Sequence, residues 1–396
     1  MDSRRTKMVG ELIRRNSLAA LLFWRPDELV MMLGYFPLWG VSVLLYPADG
    51  EPVLFVPALE PEDILPKGIT VKKYPWGALD GNDPWEVLYS VAKEELFRRG
   101  LADGVVSFTR SIGGSAPCRM SAEQPPLPAD LVLRLERVCA GGWKDTGAEL
   151  SQLYDEKTPT DIVALEKTHK IAALAVEVFY REVGRGHTEA MLGALIESAV
   201  QETNGRGDVG FAKAWPMLQS GLNAADAGRF NRSTGKLIVP GDLVVLEMGV
   251  CVDGYWADIT RTAVVGQATH SQQHMYEAVA GAQEAAFRLL RPGAAMREVD
   301  NAARSFIADA GFGSCFPHAL GHQTGFRYHD PGDVLSPYST GILREGMVVT
   351  VEPGVYSKEL GSGLRIEDNV LITPGGYRIL SAYPRDLKGG NQVYGK

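Results

Sequence analysis

The chain has 396 residues and a net charge of −8. Its length favours two or more domains, and its acidic balance argues against a nucleic-acid-binding surface, which needs a basic patch. No window approaches eighteen consecutive apolar residues and no signal-peptide stretch follows the N-terminus, so we expect a cytoplasmic protein with no membrane partner.

The first 150 residues alternate between helical and strand-like patterns. An amphipathic helix is predicted around residues 7–15, and apolar runs at 19–23, 40–46 and 52–57 are typical of strands. The turn Pro47-Ala-Asp-Gly50 joins the last two strands. We therefore predict an α/β domain with a partly antiparallel sheet. Residues 113–128 are rich in Gly, Ser and Pro and predict a loop.

The pattern becomes helical from about residue 147. Thr158-Pro159-Thr160-Asp161 is a helix-start signal, and the domain boundary is placed near it, with domains at 1–155 and 156–396. Beyond the boundary the sequence passes twice through one plan: a helix, a glycine-containing turn, a second helix and a pair of strands. This repetition predicts a pseudo-twofold domain whose two strand pairs meet in the middle.

Two acids lie in a predicted hairpin. Glu247 and Asp258 occupy apolar strands on either side of an Asp253-Gly254 turn, so strand pairing would bring the two carboxylates together. A carboxylate in an apolar strand is costly unless it is paired or coordinated. Metal ligation and a salt bridge, to Arg261 or a neighbouring lysine, both satisfy that requirement, and the hairpin alone does not separate them.

Two further acids lie in apolar strands near the C-terminus. Glu352 ends the run 346–352, and Glu367 lies in the middle of the strand predicted across 363–372. Together with Glu247, Asp258 and His322 they would form an oxygen-rich site in which four carboxylates repel one another. Two divalent cations would cancel that charge, with Mn²⁺, Co²⁺ or Fe²⁺ favoured by ligand type and Zn²⁺ possible. The predicted chemistry is hydrolysis.

Three of the seven histidines fall within twelve residues, at His318, His322 and His329. Gly321, Gly325 and a β-branched threonine between them favour a strand or loop over a helix. We assign His322 to the metal. The other two histidines would donate hydrogen bonds to a substrate carbonyl, a carboxylate or a tetrahedral intermediate.

Together these residues resemble the creatinase and aminopeptidase P family of the pita-bread fold, which includes Xaa-Pro peptidases and prolidases. The resemblance covers residues 155–385 and implies an α+β protein: a pseudo-twofold catalytic domain, with helices over a curved antiparallel sheet, preceded by a smaller creatinase-like α/β accessory domain. It also implies a homodimer. The activity implied is cleavage of an Xaa-Pro bond in a small peptide by a metal-bridged hydroxide, in an aminopeptidase or dipeptidase.

The resemblance also implies the roles of the site residues. Glu352 would be both a ligand and the proton shuttle, Arg365 would support the bridging glutamate, and His318 and His329 would face the substrate. The metal ligands would be Glu247, Asp258, His322, Glu352 and Glu367.

The sequence departs from the family pattern at two places. Glu247 stands where the peptidases have an aspartate, and Gly228 or Arg229 stands where they usually have a histidine. Arg229 and Arg327 are candidates for binding a substrate carboxylate, with a solvated surface arginine as the alternative for each. The departures keep two other functions open: a creatinase-like hydrolase of a small non-peptide C–N bond, and a non-catalytic binding protein of the same fold.

Overall fold

A computed structural model describes residues 2–76, 83–110, 129–230 and 232–387. Contacts divide these residues into two compact units, with the division between Tyr154 and Asp155. The predicted loop at 113–128 lies outside the described residues. In the described ranges, no helix is both long and apolar enough to cross a bilayer.

The N-terminal unit is built around a five-stranded mixed sheet in the order β4-β3-β2-β1-β5. Strand β2 pairs antiparallel with β1 and β3, whereas β5 and β4 are added in parallel at the edges. The predicted α/β unit with a partly antiparallel sheet is therefore confirmed. Its elements are α1 (Ser3–Asn16), β1 (Ala20–Phe23), α2 (Pro26–Leu33), β2 (Val43–Pro47), β3 (Val53–Pro57), β4 (Thr70–Tyr74), α3 (Pro84–Arg98), β5 (Val106–Phe108), α4 (Ala129–Leu135) and α5 (Gly147–Asp155), the last ending at the division.

The C-terminal unit begins with a long helix whose start follows from its first residues. Thr158 and Asp161 form a reciprocal capping box, and Pro159 occupies the first turn, where its missing N–H has no cost. The first half of the unit then contains α6 (Pro159–Glu182), α7 (Glu189–Gln201), β6 (Ala212–Ser220), β7 (Leu243–Val252) and β8 (Tyr255–Val264). The three strands form an antiparallel sheet in the order β6-β7-β8.

The second half repeats the plan of two helices followed by strands. It contains α8 (His270–Phe287), α9 (Met296–Asp309), β9 (Val348–Val351), β10 (Gly354–Ser357), β11 (Ser362–Arg365), β12 (Asp368–Thr373) and β13 (Gly376–Ile379). The strands form two antiparallel sheets, β13-β12-β9 and β10-β11. The strand predicted across 363–372 is therefore wrong as a continuous element, because it breaks around Glu367, where the chain changes pairing partner from β10 to β9.

The two halves meet through backbone and hydroxyl contacts between β8 and the β11–β12 junction. The Glu367 N–H donates to the Thr260 carbonyl at 3.1 Å, and the Thr262 hydroxyl donates to the Arg365 carbonyl at 2.8 Å. Apolar side chains of α6 and α7 pack on β6–β8, and those of α8 and α9 pack on the strands of the second half. In each half, the helices therefore cover the outer face of the strands. The junction between β8 and β11–β12 lies between the two halves.

Candidate metal centre

The β7–β8 hairpin sets the position of the first two acids. Asp253 and Gly254 have φ angles of +50° and +87°, which suit the two-residue turn that Asp-Gly sequences favour. In the resulting register Glu247 lies opposite Thr260, and Gly249 lies opposite Asp258. Because alternate residues share a face, Glu247 and Asp258 point to the same side of the sheet. Both are buried.

His322 faces this pair from an extended segment. Its Nε2 atom lies 3.3 Å from Asp258 Oδ2 and 3.4 Å from Glu352 Oε1. Its Nδ1 atom lies 3.0 Å from the Gln323 carbonyl, so Nδ1 carries the proton and Nε2 presents a lone pair to the acids. The preceding Gly321 is required, since a Cβ there would lie 2.0 Å from the Thr350 carbonyl oxygen.

The acids and histidines fall into three overlapping groups, in each of which the potential ligand atoms lie within 4.8 Å of one another. Together these groups contain all five predicted ligands. The first ligand, Glu247, and the last, Glu367, come from segments more than a hundred residues apart in the sequence. His329 joins one of the groups, and its ring centroid lies 4.1 Å from that of His322. The groups are Glu247–Asp258–Glu367, His322–Glu352–Glu367 and Asp258–His322–His329.

Two of the buried carboxylate oxygens are suited to bind a metal ion. Among the described residues, neither Asp258 Oδ1 nor Glu367 Oε1 has a hydrogen-bond partner, and each is shielded from solvent. Burial raises the pKa of both carboxyls well above the usual range, and the neighbouring carboxylates raise it further. A carboxylate in this setting needs a compensating cation to stay charged. Oxygen ligands with one or two imidazoles suit a divalent ion.

Glu247 differs from the other acids because the protein itself satisfies it. Its Oε1 atom accepts a hydrogen bond from the Tyr328 hydroxyl, and its Oε2 atom accepts from Thr260 and from the Arg365 guanidinium. Burial raises the pKa of Glu247, but the Arg365 charge and these hydrogen bonds outweigh burial and lower it. The partner of Glu247 is thus Arg365. The alternative pairing with Arg261 is not observed, since that guanidinium binds Asp368 at 2.9 Å.

His318 lies beside this cluster and is held at both ring nitrogens. Its Nδ1 atom is 2.8 Å from the Ala319 carbonyl and its Nε2 atom is 3.0 Å from the Tyr356 hydroxyl, which accepts from Arg365 at 2.7 Å. Burial and the Arg365 charge lower the pKa of His318 to about 4. The imidazole is therefore neutral near pH 7, and Nε2 accepts the Tyr356 proton.

The segment in which the family histidine is missing approaches the cluster through an aromatic ring. Gly228 and Arg229 lie in a short 3-10 helix, and the ring of the following Phe230 is 5.8 Å from the Arg365 guanidinium. Arg229 is half exposed and hydrogen-bonds Asn223 at 3.2 Å. Arg327 is only 1% exposed, so a solvated surface position is wrong for it.

Sequence reasoning missed the residues that hold the acids in place. Thr260 accepts from Arg365 Nε at 2.9 Å and lies 2.8 Å from Glu367 Oε2, so it links these residues to Glu247. Asn369 bonds both the N–H and the carbonyl of Asp258. Tyr328, which donates to Glu247, lies in the segment that carries His322 and His329. The one available signal was the position of Thr260 two residues after Asp258, which places both on one strand face.

Comparison with known proteins agrees with this geometry. The model of metallopeptidase family M24 matches residues 163–374, which is more than half of the chain. The chain belongs to metallopeptidase family M24. The M24 match spans both halves of the C-terminal unit and all the predicted ligands.

Individual M24 relatives extend the likeness beyond the matched region. An Xaa-Pro dipeptidase of Pyrococcus horikoshii is 31% identical over 97% of this chain and 99% of that protein. An Xaa-Pro dipeptidase of Pyrococcus furiosus is 38% identical over 58% of this chain and 64% of that protein. The crystal structure of the prolidase from P. horikoshii superposes with a TM-score of 0.78 at 28% identity, covering 97% of this chain and all of the other.

These findings confirm several expectations. The predicted creatinase and aminopeptidase P relationship and the pita-bread fold with its smaller N-terminal α/β part are correct. The protein is an enzyme of the metallohydrolase class, similar to Xaa-Pro peptidases, and its family implies divalent metal ions.

Proposed function

We propose that this M24 enzyme is a metal-dependent Xaa-Pro dipeptidase that hydrolyses the amide bond before proline in small peptides. The observation that carries the proposal is a pair of buried carboxylate oxygens, on Asp258 and Glu367, that accept no hydrogen bond from the described part of the chain. They lie next to a His322 nitrogen whose lone pair faces them. The similarity to two Xaa-Pro dipeptidases supports the choice of bond. The resemblance to aminopeptidases leaves removal of one residue ahead of proline as the related activity.

The ligand set would hold two divalent ions. Asp258, His322 and Glu367 each belong to two of the three groups. Glu247 would complete one metal position, and His322 with Glu352 would complete the other. Bound there, the ions supply an activated water and polarise the scissile carbonyl. Carboxylate-rich coordination favours Mn²⁺, with Co²⁺, Fe²⁺ and Zn²⁺ as alternatives, and elemental analysis of the purified protein distinguishes them.

Glu352 is the proposed proton shuttle. Its Oε1 atom accepts from the Thr350 hydroxyl at 3.0 Å and faces His322 Nε2. Burial raises its pKa, while the His322 and Arg365 groups oppose that rise. A carboxyl whose pKa is raised toward neutrality can take a proton from the attacking water and return it to the leaving nitrogen.

His329 and His318 are the proposed substrate-facing groups. His329 lies against His322, where an imidazole N–H can donate to the substrate carbonyl or to a tetrahedral intermediate. In His318 both nitrogens are engaged, so its role in binding substrate requires the Tyr356 contact to open. Arg365 positions Glu247, Thr260 and Tyr356 and is a positioning residue in this proposal.

The decisive assay compares substrates. Mn²⁺-loaded protein is incubated with Ala-Pro and Gly-Pro, with Ala-Ala as the matched peptide without proline, and with creatine and cyclic amidines. We expect release of proline from the first two and little or no turnover of the others. Complete inactivity on every proline peptide would refute the proposal.

A second candidate is a hydrolase of a small non-peptide C–N bond. It is favoured by Glu247 in place of an aspartate and by the residues that stand in the position of the missing histidine, Gly228 or Arg229. Turnover of creatine or a cyclic amidine in the same assay, without proline release, would select it. A purely non-catalytic binding protein is disfavoured because the buried carboxylates and His322 remain together.

We further propose that residues 1–155 form an accessory domain, that residues 156–396 form the catalytic domain, and that the protein is a cytoplasmic homodimer. Proline release by residues 156–396 expressed alone tests whether these residues carry the catalytic activity. Native mass spectrometry of the full chain tests the dimer, and cell fractionation tests the location.

A further inference from the structure

An ion pair on α9 lies against the segment that carries His318. Asp300 and Arg304 are four residues apart, so their side chains lie on the same face of the helix. The guanidinium binds the carboxylate through two contacts, from Nε to Oδ2 at 2.8 Å and from Nη2 to Oδ1 at 2.9 Å. The carboxylate is fully buried, and the arginine side chain is 28% exposed. This bidentate geometry fixes the plane and direction of the guanidinium.

The same ion pair holds the backbone around His318. Nη1 of the guanidinium donates to the Phe316 carbonyl at 2.9 Å, and Nη2 donates to the His318 carbonyl at 2.9 Å. Asp300 Oδ1 accepts from the Leu320 N–H at 3.0 Å, and that N–H also donates to the Leu335 carbonyl at 2.8 Å. The pair therefore contacts the backbone before, at and after His318. A lysine could not reproduce this pattern, because its ammonium lacks the planar fork of donors.

Stacked side chains extend the contact from Arg304 to the imidazole of His318. The guanidinium carbon lies 4.4 Å from the centre of the Phe316 ring, within the range of a cation–π contact. The Phe316 ring is 2% exposed and meets the His318 ring edge-on, with 4.9 Å between the centroids. A change in the position of the guanidinium therefore reaches the imidazole both through the backbone and through this ring.

We propose that the Asp300–Arg304 pair of α9 positions His318 for its contact with substrate. Arg304 is a positioning residue, because it acts through the backbone of the histidine segment and through the Phe316 ring. The inference rests on the proposed function to the extent that His318 faces a substrate there. Positioning of this kind has a large effect on rate, since a misplacement of about 1 Å can lower activity about 100-fold.

The test combines substitutions at Arg304 and His318 in the full-length protein. Arg304→Met is made in wild type and in His318→Ala, and kcat/KM is measured with Mn²⁺ on whichever substrate of the proposed assay wild type hydrolyses. An effect that acts through the imidazole disappears when the imidazole is absent, whereas general loosening of the fold lowers activity by the same factor in both backgrounds. Arg297→Met provides a control on the same helix, where the guanidinium is largely exposed and lies 3.4 Å from the exposed Glu298 carboxylate.

We expect Arg304→Met to lower kcat/KM by at least about tenfold in wild type and by less than about twofold in His318→Ala, with Arg297→Met unchanged. A loss of less than about threefold in wild type, or an equal loss in both backgrounds, would overturn the inference. If Arg304→Met does not fold, Asp300→Asn/Arg304→Met takes its place under the same criteria, because it leaves no buried carboxylate without its guanidinium.

Amide hydrogen exchange provides a readout that does not depend on catalysis. Mass spectrometry follows peptides that span residues 316–322 and, for comparison, the β6–β8 sheet. We expect exchange at 316–322 to be at least about fivefold faster in Arg304→Met than in wild type, with no change in the sheet or in Arg297→Met. Equal exchange in wild type and Arg304→Met would overturn the inference, and this result decides the question if His318→Ala has no measurable activity.

Proline release from Ala-Pro by wild type is measured in parallel. Hydrolysis together with equal exchange in wild type and Arg304→Met would reject the inference and leave the proposed function intact. Faster exchange confined to residues 316–322, without hydrolysis of any proline peptide, would support the inference and reject the proposed peptidase activity.

Discussion

Replacing Arg261 with methionine removes the guanidinium that ties the two halves of the C-terminal unit together. This side chain is fully buried and pairs with Asp368 at 2.9 Å. It also donates to the carbonyls of Thr260 at 2.9 Å and Pro384 at 2.7 Å, and to that of Glu367. Thr260 and Glu367 belong to the backbone segments next to Asp258 and around Glu367, so the variant loosens the scaffold of the candidate centre.

The size of the effect follows from what the methionine leaves unpaired. Removing one partner of a buried ion pair typically costs about 3–5 kcal/mol. Asp368 keeps a second partner, since Arg385 Nε lies 2.8 Å away, and this contact lowers the cost. The Thr260 carbonyl keeps the Glu367 N–H and the Pro384 carbonyl keeps the Tyr180 hydroxyl, so the main further loss is the donor to the Glu367 carbonyl, which adds roughly 1 kcal/mol. We therefore expect a loss of about 4 kcal/mol, or a fall in melting temperature of about 10 °C for a unit of this size.

The assay is thermal unfolding of both variants followed by circular dichroism, supported by urea unfolding. Arg297→Met is the matched control, because Arg297 is largely exposed and pairs with the exposed Glu298. Surface pairs contribute little, so the control should melt within about 2 °C of wild type. A fall of less than about 3 °C for Arg261→Met, or an equal fall in both variants, would refute the reasoning.

Three further predictions concern the site and its surroundings. Glu352→Gln should lower kcat for Ala-Pro by at least about 100-fold because it removes the proton shuttle, whereas Glu359→Gln should not; equal kcat values would contradict the assignment. Gly321→Ala should destabilise the protein by about 3 kcal/mol in urea unfolding, because the new methyl group would overlap the Thr350 carbonyl; an unchanged midpoint would show that this backbone yields easily. Burial and the Arg261 charge lower the pKa of His169 to about 3, so below pH 6.5 only the unfolded state takes up this proton. Stability should therefore fall as the pH drops from 6.5 toward 3, by about 2 kcal/mol at pH 5, and less in His169→Gln; equal urea midpoint shifts between pH 7 and pH 5 in the two proteins would contradict this.

Much of the fold could be predicted from local sequence because local chemistry specifies it. The Asp253-Gly254 turn set the register of the hairpin and so placed Glu247 and Asp258 on one face. Thr158 marked the start of a helix because its side chain accepts the Asp161 N–H, and Pro159 because it has no N–H that needs a partner. The break in the strand near Glu367 was missed because the apolar pattern continues through it. Only the partner strands reveal the change of pairing.

The environment of each site residue could not be predicted in the same way. Tyr328 and Glu247 are 81 residues apart, and no local pattern connects them. Their contact depends on Gly249, which lies on the same strand as Glu247 and leaves room for the ring. The sequence identified the chemical types at the centre because buried acids and clustered histidines are unusual. Which acids are satisfied by protein donors is a property of tertiary packing.

We propose that Asp258, His322, Glu352 and Glu367 bind the divalent ions with which the enzyme cleaves the bond before proline. The most direct test removes the ions with chelator, confirms their loss by elemental analysis, and measures proline release from Ala-Pro before and after Mn²⁺ is restored. We expect no release from the metal-free protein, and recovery on adding Mn²⁺ in wild type but not in Glu352→Gln. Undiminished release from metal-free protein, or no release after Mn²⁺ has bound, would contradict it.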